Sequence, residues 1–235
     1  MLPEFGAAAQ KRLMEATVML VGLGGLGSPA ALYLAASGVG RLLLNDFDRV
    51  DLSNLQRQVL YTEADLGTAK TTAATAILAA LNPGCELEAL DSRLEGETLT
   101  LAVQRADVVL DGSDNFGTRF AVNAACAMTG TPLVSGAAIR YEGQLAVFDL
   151  RNSSSPCYAC LYQEADERME NCRQNGVLAP LTGVIGSLMA VEAVKLLTGV
   201  GQPLLGRLLR YDAQTGEMRY THFNKDPACP VCGHP

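Results

Sequence analysis

The sequence predicts a doubly wound α/β fold, a mostly parallel sheet with helices on both faces that continues into an antiparallel, loop-rich second half. Three observations predict it. Short apolar runs at 18–21, 42–45, 107–110 and 132–134 alternate with alanine-rich helical stretches at 28–37, 67–81 and 117–129. A glycine-rich turn, VGLGGLGS at 21–28, joins the first apolar run to the first of those helices. The chain has 235 residues, 49% of them hydrophobic and 18% charged, enough for one sizeable core.

The elements follow in order. The first strand (Val18, Met19, Leu20, Val21) runs into Gly22, Gly24 and Gly27, and SPAALYLAASG then supplies a helix. The second strand closes on Asp46 in LLLNDFD, and the run at 107–110 ends in DGSDN. After about residue 140 the rhythm changes. GQLAVFDL (143–150) reads as a strand, whereas 153–176 is polar, irregular and rich in turn formers. Pro180 near the start and Gly199 just past the end punctuate a helix over 180–197. LLGRLLRYD and GEMRYTHF, around a turn at 213–216, form an antiparallel hairpin. With no internal repeat and no low-complexity linker, 1–235 reads as a single domain with a nucleotide-binding half (1–140) and a second half (141–235).

Composition excludes some partners. A net charge of -7 with no basic arm argues against nucleic acid and against an anionic membrane surface, both of which need a basic face. The longest apolar segment, 180–199, contains Glu192 and Lys195 and reads as a buried helix rather than a membrane span. MLPEFGAAAQ has no signal-peptide pattern. The expectation is a cytoplasmic protein whose seven cysteines are not a disulfide framework.

Gly22, Gly24 and Gly27 fit G-x-G-x-x-G, whose tight turn and helix N-terminal amides suit a phosphate. Asp46 lies 19 residues after Gly27, where a ribose-binding carboxylate belongs. On those two features NAD is the default ligand, and a nicotinamide-dependent oxidoreductase the default enzyme. Gly25, an extra glycine, bares more of the loop backbone. DFDRVDLSNLQRQ (46–58) then changes the reading, because hydride transfer has no general need for a loop of acids, amides and arginines beside the ribose acid. A triphosphate does need such donors. Arg57, and Lys70 on the opening turn of the helix after LGTAK, are the expected cations; the alternative for each is a solvated surface charge. Asp111 and Asp114 fall where strand ends open onto a ligand crevice, either to hold Mg²⁺ or to cap the next helix.

Cys157–Cys160 and Cys229–Cys232 are two C-x-x-C pairs with 68 residues between them, the spacing of a closed structural Cys₄ zinc site. It would pin the C-terminal tail to the loop after GQLAVF. Cys85 and Cys126 sit among apolar neighbours and read as small core residues. Cys172, in ERMENCRQNG, lies near Arg168 and Arg173, which favour a thiolate.

GLGGLGSPAALYLAASGVG, DFDRVDLSNLQRQ, LGTAK, DGSDN and SGAAIRYEGQLAVF together resemble the adenylyltransferases of the ThiF/MoeB/HesA family, bacterial relatives of ubiquitin-activating enzymes. The resemblance runs from about Leu2 to the C-terminus. It implies that ATP lies on the glycine loop, and that the C-terminal glycine carboxylate of a ubiquitin-like sulfur carrier attacks the α-phosphate to give an acyl-adenylate and pyrophosphate. It places Gly22, Gly24 and Gly25 against ATP, Asp46 at the ribose, and Ser53, Asn54, Leu55, Gln56 and Arg57 along the nucleotide. Lys70 would meet the phosphates, and Asp114 with Asn115 would serve Mg²⁺ and ATP. It makes 141–235 the zinc and carrier-binding half and implies a homodimer. The NCR loop and the CPVCG tail resemble the thiamine branch slightly more than the molybdopterin branch. In family members that join the carrier covalently, a cysteine in a similar loop does so, which implies a chemical role for Cys172 against the alternative of an inert surface thiol. Members of the family usually carry an R-Y-x-R-Q-like segment before LLPEFG, and this sequence begins at MLPEFG. That difference keeps open a third reading, a carrier-binding scaffold of weak activity.

Overall fold

A computed structural model describes residues 3–162 and 176–233. Among them, one eight-stranded sheet runs in the order β3-β2-β1-β4-β5-β6-β7-β8. β1 (Thr17–Val21), β2 (Arg41–Asn45), β3 (Glu86–Leu90), β4 (Val108–Asp111) and β5 (Leu133–Ile139) are mutually parallel. β6 (Glu142–Phe148), β7 (Arg207–Asp212) and β8 (Glu217–His222) extend the sheet antiparallel, β5 meeting β6 through a tight connection with Ile139 opposite Glu142. The sheet is mixed, parallel then antiparallel, as the sequence predicts.

Side-chain alternation along the central strands builds two cores. Val18 and Leu20 of β1, Leu42 and Leu44 of β2 and Leu110 of β4 face one way; Met19, Val21, Leu43 and Val109 face the other, all buried. The first core is covered by α1 (Gly6–Glu15), α2 (Gly27–Ala36), α3 (Lys70–Leu81) and α7 (Ala179–Thr198). The second is covered by α4 (Gly96–Val103), α5 (Phe116–Thr129) and the single turn α6 (Tyr158–Leu161).

α7 is long and apolar enough to cross a membrane by length and composition. It instead packs between α2 and the sheet, so closely that a Cβ on Gly186 would lie 2.3 Å from the Leu26 carbonyl oxygen. Its buried Glu192 pairs with Lys195 and accepts the Leu204 amide at 2.9 Å, tying the helix end to the approach to β7. Pro180 sits in its first turn, and Gly199, at φ 73°, closes it in the left-handed conformation a C-terminal glycine supplies.

Four parallel strands meet the order 3-2-1-4, so the chain reverses direction of winding between β1 and β4. A ligand crevice forms outside the carboxyl ends of strands at such a switch point. The glycine loop leaves β1 there, and DGSDN leaves β4 beside it.

Candidate functional site

A cleft of about 1020 Å³ opens at that switch point. The glycine loop forms its floor. Gly22 adopts φ +87°, and a Cβ there would press to 3.2 Å of the Gly112 carbonyl. A Cβ on Gly27 would sit 1.9 Å from the Gly22 carbonyl oxygen, so only glycine lets α2 begin this close to β1. The α2 N-terminus has no side-chain cap; the Ser28 amide donates to the Gly24 carbonyl at 2.9 Å, and the loop residues Gly22, Gly24, Gly25 and Leu26 line the cleft.

Asp46 lines the cleft beside this loop, and its carboxylate is also structural. Oδ2 accepts the Leu23 amide at 2.8 Å and Oδ1 the Asp48 amide at 2.9 Å. Burial raises its carboxyl above the ordinary value, against the opposing charge of Lys70. Lys70, 4% exposed at the start of α3, sends Nζ to Asp48 at 3.1 Å and to Asp46 at 3.6 Å. The ammonium faces the cleft from within a cage of two carboxylates.

SNLQRQ forms one wall. Asn54 Oδ1 accepts both Arg57 Nη2 at 3.0 Å and Gln58 Nε2 at 3.1 Å. Ser53 donates through its amide and hydroxyl to Asp51, which holds that exposed carboxyl below its ordinary value. Ser53, Asn54, Gln56 and Arg57 line the cleft, whereas Leu55 does not; its side chain packs against the first core. Across the cleft stand Asp114 and Asn115. The cap of α5 is Asn115, whose Oδ1 accepts the Thr118 amide at 2.9 Å, so neither aspartate does that work. Asp111 turns away: it is 1% exposed, lies outside the cleft wall and accepts the Ser113 amide at 2.9 Å. Its burial raises the carboxyl, with the Arg119 charge opposing.

The four cysteines of the two C-x-x-C pairs converge. Their sulfurs all lie within 4.8 Å of one another, with Cys160–Cys232 at 3.4 Å, Cys157–Cys229 at 3.6 Å and Cys157–Cys160 at 4.0 Å. Four thiolates about 2.3 Å from one tetrahedral zinc lie about 3.8 Å apart, so this donor set fits a closed zinc site. The Asp226 amide points at Cys160 Sγ and Asn123 Nδ2 at Cys157 Sγ, donors of the kind that orient metal-bound thiolates. Cys85 and Cys126 are buried singly among apolar residues, their thiols pushed up by burial, the first to about 11. Cys172 lies outside the described residues.

The model of the ThiF family matches residues 1–231. The chain belongs to the ThiF family. It is 45% identical over 233 residues to the sulfur carrier protein ThiS adenylyltransferase of Escherichia coli, covering 99% of this chain and 92% of that protein. It is 45% identical over 229 residues to the molybdopterin-synthase adenylyltransferase of Salmonella typhimurium, covering 97% and 92%. The crystal structure of E. coli MccB with MccA-N7isoASN superposes with a TM-score of 0.85 over 97% of this chain and 69% of that one, at 23% identity, and bears on the fold alone.

This ThiF-family cleft holds residues that sequence reasoning missed. Arg93, just past the end of β3, lines it and lies over the Phe47 ring at 5.2 Å. Arg49 lines it while donating to the Gly67 carbonyl at 2.6 Å. Thr182 of α7 closes over Gly25, so near that a Cβ on that glycine would be 3.0 Å from it. The strand-end rule that found Asp46 also finds Arg93, once β3 is recognised. No local signal points to Thr182, which arrives from the far half of the chain.

Proposed function

We propose that this chain is an ATP-dependent nucleotidyltransferase that adenylates the C-terminal glycine of a ubiquitin-like sulfur carrier ending in Gly-Gly, of the ThiS or MoaD type. The observation that carries the reading is the concentration of donors on one cleft. The glycine-loop backbone, Arg57, Lys70, Arg93 and Arg49 all line the same space, which matches a triphosphate and exceeds what a dinucleotide needs. The names of the 45%-identical relatives supply the carrier class, one a ThiS adenylyltransferase and one a molybdopterin-synthase adenylyltransferase.

In the reaction, a carboxylate oxygen of the carrier's terminal glycine bonds to the α-phosphorus of ATP, the bond to the bridging oxygen breaks, and pyrophosphate leaves with its electron pair. The glycine-loop amides orient the phosphates, and Arg57 and Lys70 meet charge on the departing oxygens. Lys70 must turn from Asp46 and Asp48 toward the phosphates, and Asp46 then accepts a ribose hydroxyl while still holding the loop. Asp114 and Asn115 offer oxygen ligands of the kind Mg²⁺ takes beside nucleotide phosphates. Bound there, Mg²⁺ supplies charge neutralisation. The Cys₄ centre holds Zn²⁺ in a structural role, with no position open to substrate. Residues 1–140 form the ATP-binding half and 141–235 the zinc and carrier-binding half of one domain, working as a cytoplasmic homodimer. The Cys172 thiolate then attacks the carbonyl of the carrier's acyl-adenylate, forming a thioester as AMP leaves with the electron pair of the broken acyl–oxygen bond.

ATP–pyrophosphate exchange tests this, with thiamine-type and molybdopterin-type carriers, each with and without the terminal glycine. Exchange that requires the intact Gly-Gly is the expected result and identifies the carrier. NADH binding without ATP binding sinks the proposal. ATP and carrier binding without exchange reduces the chain to a scaffold.

A further inference from the structure

The nucleotide cleft and the four-cysteine centre share one helix. α5 begins at the DGSDN loop, and one turn in it places Arg119, 6% exposed, whose Nη2 donates to the Ser113 carbonyl at 2.6 Å. That bond spans the loop carrying Asp114 and Asn115. Four residues on, and so on the same helix face, stands Asn123, 1% exposed. Its Oδ1 accepts the Tyr158 amide at 2.9 Å, and its Nδ2 donates toward Cys157 Sγ at 3.7 Å. Asn123 therefore grips the first cysteine pair from the helix that opens the cleft.

Tyr158, between Cys157 and Cys160, completes the link. Its ring meets Phe120 of α5 edge-on at 5.3 Å and Phe148 of β6 at 6.0 Å, and lies 4.8 Å from Tyr162. Arg119 and Tyr158 border a common cavity of only about 10 Å³, room for one water at most, so little free space separates the ring from the guanidinium on this side. Arg119 also lines the nucleotide cleft, whereas Asn123 does not. Closely packed contacts of this kind shift together rather than deform smoothly.

We propose that α5 couples the two centres: order at the cysteines sets the position of the Ser113 carbonyl, and with it Asp114, through Asn123 and Arg119 as positioning residues. Metal at the Cys₄ centre then tunes the nucleotide loop without touching nucleotide. The inference uses the cleft as the nucleotide site proposed above, and its primary readout does not require nucleotide.

The test is amide hydrogen exchange across residues 110–120 of the full chain, zinc-loaded and chelator-stripped, with zinc content and ATP·Mg²⁺ affinity measured alongside. Stripping should raise exchange at amides 112–115 about fivefold or more, the lower end of ordinary site coupling. Zinc-loaded Asn123→Leu should do the same although residue 123 is no part of the cleft. Arg119→Met should retain full zinc yet lose that protection, and Arg119→Lys should recover part of it. If stripping unfolds the chain, the zinc-loaded variants decide. Protection at 112–115 equal to wild type in zinc-loaded Asn123→Leu and Arg119→Met overturns the coupling. Absent ATP binding with coupled exchange intact refutes the nucleotide reading alone; normal ATP binding with uncoupled exchange refutes the coupling alone.

Discussion

Lys70 is buried between two carboxylates, and replacing it with Met should expose how much the cleft depends on that arrangement. Methionine keeps the length and removes the charge. Breaking a buried ion pair from one side costs about 3–5 kcal/mol, because the remaining charge stays buried without a partner. Only Asp46 is fully in that position; the Asp48 side chain is 39% exposed and solvent screens it. The lower end, about 3 kcal/mol, is therefore expected, which for a chain of this size is a fall of roughly 6–12 °C in Tm. The loss should depend on pH with a definite sign. Burial already lifts the Asp46 carboxyl above 3.8, and Lys70 is the largest influence opposing that rise. A carboxyl whose folded value is raised contributes stability below its unfolded value and loses it as pH climbs through the folded value. Without Lys70 the folded value rises further, so the window of loss widens toward neutrality. Thermal denaturation of both proteins at about pH 5 and about pH 8 should show the larger gap at the higher pH. A gap that is equal, or larger at the lower pH, refutes the argument that Lys70 compensates a buried Asp46.

Three further outcomes follow from the geometry. Gly22→Ala should cost about 1–3 kcal/mol, since φ +87° is strained for any residue with a Cβ and that atom would crowd Gly112; Tm and ATP affinity should fall together. Cys229→Ser should reduce zinc retained against a chelator well below one ion per chain and lower Tm, because Cys229 is buried within the cluster and closes the tail onto the 157–160 turn. Arg93→Ala, with its side chain 61% exposed, should stay within about 0.5 kcal/mol of wild type in stability. The same change should weaken ATP binding several-fold by equilibrium dialysis, separating a ligand contact from a structural one.

The central strands were legible because burial on both faces demands unbroken apolar runs, and Val18–Val21 and Leu42–Leu44 meet that demand. β3 shows no apolar run because it is the sheet edge. ELEAL is half exposed, and its acids Glu86 and Glu88 pair with Arg41, and Glu88 also with Arg105, where a core strand would carry valine or leucine. α1 escaped for a related reason: only Ala9 and Leu13 of its ten residues are buried, too few to print a helical stripe on the sequence. The antiparallel hairpin and α7 were marked by their own punctuation, Gly216 and Gly199 at positive φ.

The site divides along the same line between local and long-range causes. Asp46 and Asp114 are found by position, since the loops leaving the carboxyl ends of parallel strands near the switch point border the crevice. The partners of Lys70 are not. They require the chain to double back, with the Lys70 amide donating to the Asp48 carbonyl at 3.1 Å and Arg49 bridging Ala69, so that the helix start returns to the strand end. DGSDN offers two aspartates three apart, and in the sequence the helix-cap alternative weighs more on Asp111 than on Asp114. Close packing of Gly112 against the glycine loop decides between them, sending Asp111 inward to a hydrogen bond with Ser113 and leaving Asp114 on the cleft wall. Leu55 shows the converse: a motif assigns roles by run of sequence, but a loop with an apolar residue inside it spends that residue on the core. A motif therefore locates a site to within a loop, and the apolar demand of the surrounding core selects which of its side chains reach the ligand.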